Sequence, residues 1–145
     1  MPRIGVLAAA IVLLVVPAGT GLGGPPRLVD AGHCLAVSKQ TLSQKALAVE
    51  GKVIPPKKIR DVRPSYPTRQ ASSGGKGPWL GEALIDANGK VREVWALHEL
   101  EFDPPWPEFN DAIPAAIRQW EYEPALVKGK AVPVCMTIRM DFHWQ

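Results

Sequence analysis

The sequence contains none of the short motifs that mark a catalytic centre. Its three histidines, His33, His98 and His143, are far apart in the chain, and no serine lies in the glycine-flanked turn that presents a catalytic nucleophile. No glycine-rich phosphate-binding loop follows a predicted strand. We therefore expect a protein that is not an enzyme and that needs no cofactor.

The sequence also lacks a strong excess of either charge. It has 17 Lys and Arg against 14 Asp and Glu, a formal net charge of +3. A basic cluster within residues 52–63 has no aromatic residues between its charges, so we do not expect a nucleic-acid partner. The acidic stretch over residues 98–103 has no ligand spacing typical of a metal site, and we interpret it as a solvated connector rather than an ion-binding site.

Polar side chains are absent from residues 4–16, which follow a short basic start and precede a run of small residues. This arrangement is typical of a secretory signal peptide. As a helix, this apolar run would rise only about 20 Å, less than the roughly 30 Å hydrocarbon core of a membrane. We therefore predict that residues 1–23 are a signal peptide of an exported protein, with an uncleaved signal anchor as the alternative.

Cysteine is scarce: the sequence has two, Cys34 and Cys135. In an exported protein they could form a disulfide that ties the N-terminal segment to the last strand. Cys135 lies on the face opposite to that strand's apolar row, and the position of Cys34 is not defined by any pattern. The sequence leaves the paired and the unpaired states open.

The most regular pattern lies near the C-terminus, where residues 131–144 alternate between apolar and other side chains. Such alternation predicts a long strand. One face would carry Val132, Val134, Met136, Ile138, Met140 and Phe142. The opposite face would carry Pro133, Cys135, Thr137, Arg139, Asp141 and His143.

A β-hairpin is predicted in the middle of the chain. Trp79–Ile85 and residues 91–97 flank the turn Asp86-Ala87-Asn88-Gly89, with glycine where a positive φ is needed. Val91 and Trp95 are out of step with the alternation of the second strand, which indicates a bulge.

An amphipathic helix is predicted over residues 111–120. Its apolar residues recur at helical spacing. With Asp111 as the N-cap, Pro114 would lie in the first turn, where no intrahelical donor is lost.

The other elements are short. Residues 47–53 alternate like a strand, residues 57–62 are extended, and residues 68–73 could form one or two helical turns. We predict an α+β fold, in which one to two helices pack on one face of a small antiparallel sheet of three strands. A fourth strand could come from the N-terminal extension, residues 24–54, and the domain itself would span residues 55–145.

A sheet this small has open edges, and an open edge presents unpaired N–H and C=O groups. A partner peptide can add a strand there. Alternatively, the edge is filled by residues 47–53 of the same chain or by a second copy in a homodimer, and the protein is structural or self-associating. Sequence periodicity does not separate these alternatives.

Several residues resemble, in order and spacing, the TonB C-terminal domain family: Tyr66-Pro67, Gly77, Ile85-Asp86 with Gly89 and Val91, Trp120 with Tyr122 and Pro124, and Gly129. The similarity covers about residues 55–142. It implies a three-stranded antiparallel sheet with two helices on one face and a periplasmic location. It also implies that the last strand captures a short N-terminal peptide of outer-membrane transporters by strand addition.

Carried over to this chain, the resemblance implies a peptide-binding edge formed by Val132, Val134, Met136, Ile138 and Met140, with an adjacent loop at Tyr66 and Pro67. The expected partner is an outer-membrane TonB-dependent receptor or a similar strand-donating peptide. Energy-transducing members have an N-terminal anchor with Ser and His and a long Pro-rich spacer. Residues 4–16 contain neither Ser nor His, and residues 24–60 cannot replace that spacer. We therefore expect binding without energy coupling.

Overall fold

The computed structural model describes residues 28–66 and 74–143. The predicted signal peptide and the predicted helical turns at residues 68–73 lie outside the described residues. The α+β class is confirmed. The helices and strands are α1 His33–Thr41, β1 Leu47–Ala48, β2 Lys57–Arg60, β3 Trp79–Ile85, β4 Val91–His98, α2 Pro107–Ile117, β5 Glu121–Glu123, β6 Ala125–Val127, β7 Lys130–Val132 and β8 Val134–Met140.

The central sheet has the strand order β1-β8-β3-β4, and β3 is antiparallel to both of its neighbours. The predicted hairpin is confirmed as β3 and β4. The Asp86 carboxylate accepts hydrogen bonds from the Asn88 and Lys90 amides at 2.9 and 3.0 Å, and Gly89 has φ 79°. The register shifts between Leu84 and Ile85, which agrees with the predicted bulge.

The main core lies between α2 and one face of the sheet. Trp79, Ala83 and Ile85 of β3 are fully buried there, beside Ile113 and Ile117 of α2. Because strand side chains alternate between faces, these β3 residues present one continuous apolar surface to the helix.

The predicted start of α2 was wrong, because the helix begins at Pro107 and contains Pro114 in its interior. An interior proline forfeits a backbone hydrogen bond and costs about 3 kcal/mol. Contacts of the first turns offset this cost. Phe109 is buried in the core, and the Asn110 side chain exchanges hydrogen bonds of 3.0 and 2.9 Å with the backbone of Leu100.

The opposite face of the sheet is covered by α1, an element that periodicity did not indicate. Cys34 of α1 and Ala46 form a second apolar cluster with Leu84 of β3 and Cys135 of β8. The chain therefore has a helix on each face of the sheet, with α2 on the face where a helix was predicted.

Two strand predictions require correction. The C-terminal run is divided at Pro133 into β7 and β8, and β7 pairs with β6 in a separate two-stranded sheet. Pro133 has no N–H to continue the ladder. Of residues 47–53, the first two form a strand, because the chain turns at Gly51, which has φ 59°. Of residues 57–62, predicted to be extended, the first four form β2, which pairs with β5.

Candidate peptide-binding edge

The outer edge of β8 is only partly covered within the described residues. On its inner side β8 pairs with β3 along its whole length, whereas β1 pairs with it at Val134 and Cys135. Beyond Cys135, no strand of residues 28–66 or 74–143 pairs with the outer side.

The direction of the backbone groups follows from one hydrogen bond. The Leu47 amide donates to the Pro133 carbonyl at 3.0 Å, so the backbone of Pro133 faces the outer edge. Backbone N–H and C=O groups alternate in direction along a strand that pairs on both sides. Cys135, Thr137 and Arg139 therefore also face outward, and the last two lie beyond the reach of β1.

The residues predicted to form the binding edge lie on β8, apart from Val132, which is in β7. Their side chains face the core: Val134 is 0% and Ile138 8% exposed, and Met136 and Met140 pack against the same cluster. What this edge offers to a partner is thus the backbone and side chains of Thr137 and Arg139. Both side chains are exposed, and both lie on the face of the strand opposite to its apolar row.

The loop residue Tyr66 lies near the C-terminal end of β8. Its ring stacks on Phe109 with centroids 4.3 Å apart, and contacts Phe142 edge-on at 6.1 Å. Burial raises the pKa of Tyr66, although the residue remains 39% exposed. Pro67, its predicted companion, lies outside the described residues.

A cleft of about 410 Å³ lies where β1 leaves the edge of β8, between Leu35 of α1 and Thr137. Its buried polar group is Glu82, 8% exposed, whose carboxylate accepts hydrogen bonds from the Gly32 and Cys34 amides at 2.6 and 2.8 Å. A carboxylate at this position stabilises the helix because it accepts from the free N–H groups of the first turn and complements the helix dipole.

Charges near the end of the edge are paired. The guanidinium of Arg139 donates to the Asp141 carboxylate at 2.7 and 2.9 Å, and this hydrogen bonding lowers the pKa of Asp141. Both side chains are exposed and lie two residues apart. The open part of the edge therefore carries no strong local charge of either sign.

A disulfide joins Cys34 of α1 to Cys135 of β8, with their Cα atoms 5.9 Å apart. Cys135 directly precedes the open part of the edge. The bond therefore fixes the N-terminal segment beside the candidate site.

The other candidates do not assemble into a site in the described part of the chain. No group of three or more His, Cys, Asp or Glu residues there could hold a metal ion. His98 lies with Nδ1 2.8 Å from the Pro78 carbonyl. In the basic cluster, Lys58 pairs with Asp61 at 2.9 Å and lies over the Trp120 ring, and Arg60 contacts Glu121 at 3.3 Å.

Fold and edge together define a small α+β domain whose last strand has an accessible outer side. Residues 62–144 match the family model described as Gram-negative bacterial TonB protein C-terminal, and the chain belongs to this family. Nothing matches in the comparisons with curated proteins and with solved structures. Neither described helix has the length and apolar character needed to span a bilayer.

Proposed function

We propose that this chain is a periplasmic peptide-binding domain that accepts an extended segment as an added strand along residues 137–140. Main-chain hydrogen bonds would supply the affinity of such a complex, and alternate side chains its selectivity. The observation that carries the proposal is that β1 covers Val134 and Cys135, whereas the outward groups of Thr137 and Arg139 have no strand beside them in the described residues.

The partner that suits this edge is the N-terminal segment of an outer-membrane TonB-dependent receptor. Membership of the family supports a role in envelope transport. Extended segments of this kind bind through their backbone, so the site needs no dedicated charged pocket. The paired charges of Arg139 and Asp141 are consistent with recognition dominated by main-chain bonds.

Replacing Thr137 with proline tests the proposal. Proline removes the outward N–H while leaving the ladder to β3 intact, because the outward amide takes no part in that ladder. We expect peptide binding to fall by about tenfold or more and the fold to persist, since the loss of one main-chain bond and the bulk of the ring both act at the edge.

Thr137→Ala is the matched control, because it keeps the amide and removes only the side chain. The oxidised protein is titrated with receptor N-terminal peptides. Changes in its amide chemical shifts report both the affinity and the surface that binds. Equal binding by Thr137→Pro and Thr137→Ala, or shifts confined to another surface, would contradict the proposed edge.

A second candidate function is favoured by the pairing of β1 with β8 in cis. In that case the domain is structural or self-associating, and its edge is filled by its own chain or by a second copy. Absence of binding at millimolar peptide, with the fold intact, would support this candidate over peptide capture.

A further inference from the structure

The N-terminal segment outside the family match contacts both edges of the sheet formed by β8, β3 and β4. At one edge, Leu28 bridges Ala96 of β4, and the Val29 amide donates to the Ala96 carbonyl at 2.9 Å. At the other, Leu47 and Ala48 pair with β8. Between these contacts α1 crosses the face of the sheet. We call residues 28–48 the strap.

Two long-range contacts hold the strap on the sheet, and one contact within the strap fixes its turn into β1. Glu82 of β3 binds the first amides of α1, and the disulfide joins α1 to β8. At the end of α1, the buried Ser38 hydroxyl accepts a hydrogen bond of 3.1 Å from the Ala46 amide. This last contact turns the chain directly into β1. The position at which the strap meets the edge of β8 is therefore fixed from both sides.

We propose that the strap limits β8 to the capture of one short extended segment and prevents edge-to-edge pairing with a second copy. This inference rests on the proposed function. Of the seven residues of β8, Val134 and Cys135 already have β1 beside them. The backbone groups of Met136 face β3, so the first outward-facing residue with no strand beside it in the described residues is Thr137. Residues 137–140 span about 14 Å at a strand rise of about 3.4 Å per residue. That length accommodates about four residues of a partner peptide.

Self-pairing along the whole of β8 is blocked by the same geometry. In a symmetric antiparallel pair centred on Thr137, residues 139 and 140 of the second copy would lie opposite Cys135 and Val134. Those positions are occupied by Ala48 and Leu47 of the strap. Edge coverage of this kind is a general way in which sheet proteins avoid aggregation.

The test compares Leu47→Pro with Leu47→Ala. Proline removes the amide that bonds to Pro133, whereas alanine keeps it, and Leu47 is an exposed side chain. Both oxidised proteins are titrated with peptides of four, six and eight residues from one receptor segment. For the wild type and Leu47→Ala, we expect the affinity to level off near four residues. For Leu47→Pro, we expect a gain of about fivefold for each added hydrogen-bonded pair.

Light scattering provides a readout that does not depend on peptide. We expect the wild type to stay monomeric and Leu47→Pro to form dimers as concentration rises, with added amide protection at Thr137 and Arg139. If Leu47→Pro does not fold, the disulfide-free variant Cys34→Ala, Cys135→Ala loosens the same strap.

The outcomes separate the two proposals. If no peptide binds any variant but release of the strap produces dimers, the proposed function fails. The proposal that the strap prevents edge-to-edge pairing then stands. If peptides bind and all variants show the same length dependence and remain monomeric, the strap proposal is overturned and the proposed function stands. A wild-type dimer protected at Thr137 and Arg139 overturns both.

Discussion

Removal of the disulfide should destabilise the domain by several kcal/mol. In the variant Cys34→Ala, Cys135→Ala, the lost bond joins residues separated by 101 positions. Loop-closure entropy for a loop of about 100 residues is worth about 4.7 kcal/mol at room temperature, because the cross-link restricts the unfolded chain. Measured values commonly lie between about 2 and 5 kcal/mol.

The local packing adds little to this figure. Both cysteines are buried in the small cluster with Leu84 and Ala46, and alanine leaves that cluster apolar. Glu82 still binds the first amides of α1 and Val29 still bonds to Ala96, so the strap stays attached to the folded variant, although its contact with the edge of β8 is loosened. We therefore expect the loss to come mainly from the unfolded state and to be about 3 to 5 kcal/mol.

Urea unfolding of the oxidised wild type and of the variant measures this difference. Intact mass before and after reduction establishes that the bond is present in the wild type. The reduced wild type is the control, because it removes the bond without a substitution. A difference below about 1 kcal/mol, with the bond present, would refute the argument that the cross-link constrains the unfolded chain.

Three further predictions concern single residues. Glu82→Gln leaves one of the two amides at the start of α1 without its carboxylate oxygen, and we expect a loss of about 1.5–3 kcal/mol in urea unfolding. Gly89→Ala should lower the free energy of unfolding by well over 2 kcal/mol, because its φ is positive and the new Cβ would clash with the Tyr122 carbonyl. Gly129→Ala is the matched control: its φ is also positive but the space around it is open, so the loss should be only about 1 kcal/mol. Burial raises the pKa of Tyr122 from 10.0 to about 12, because the folded protein favours the neutral phenol. The contribution of this phenol to stability is therefore complete below pH 10 and is lost as pH rises from 10 through 12. Absorbance titration of tyrosinate should lose this last step in Tyr122→Phe; a wild-type tyrosine titration finished by pH 11 would contradict it.

Local patterns were sufficient wherever neighbours in sequence determine the structure. The turn at Asp86 and Gly89 defines the hairpin, since its backbone bonds and its positive φ depend on four consecutive residues. The alternation over β8 correctly separated buried Val134 and Ile138 from exposed Thr137 and Arg139. Period-two burial needs only a sheet with one apolar face.

Local patterns failed where a distant contact compensated for an unfavourable residue. Helix α2 begins before its interior proline because Phe109 and Asn110 gain tertiary contacts with the core and with Leu100. In an isolated helix the backbone cost of Pro114 would place the start of the helix later in the chain. In the folded domain the contacts of Phe109 and Asn110 offset that cost.

The sequence by itself determined that this chain has a hairpin, an amphipathic helix and an alternating last strand. The tertiary structure decided which backbone groups of that strand face outward, because alternation gives two faces but not the side on which β3 pairs. It also decided how much of the edge remains open. That depends on where Glu82 and the disulfide hold the strap, and both contacts join residues about 50 to 100 positions apart.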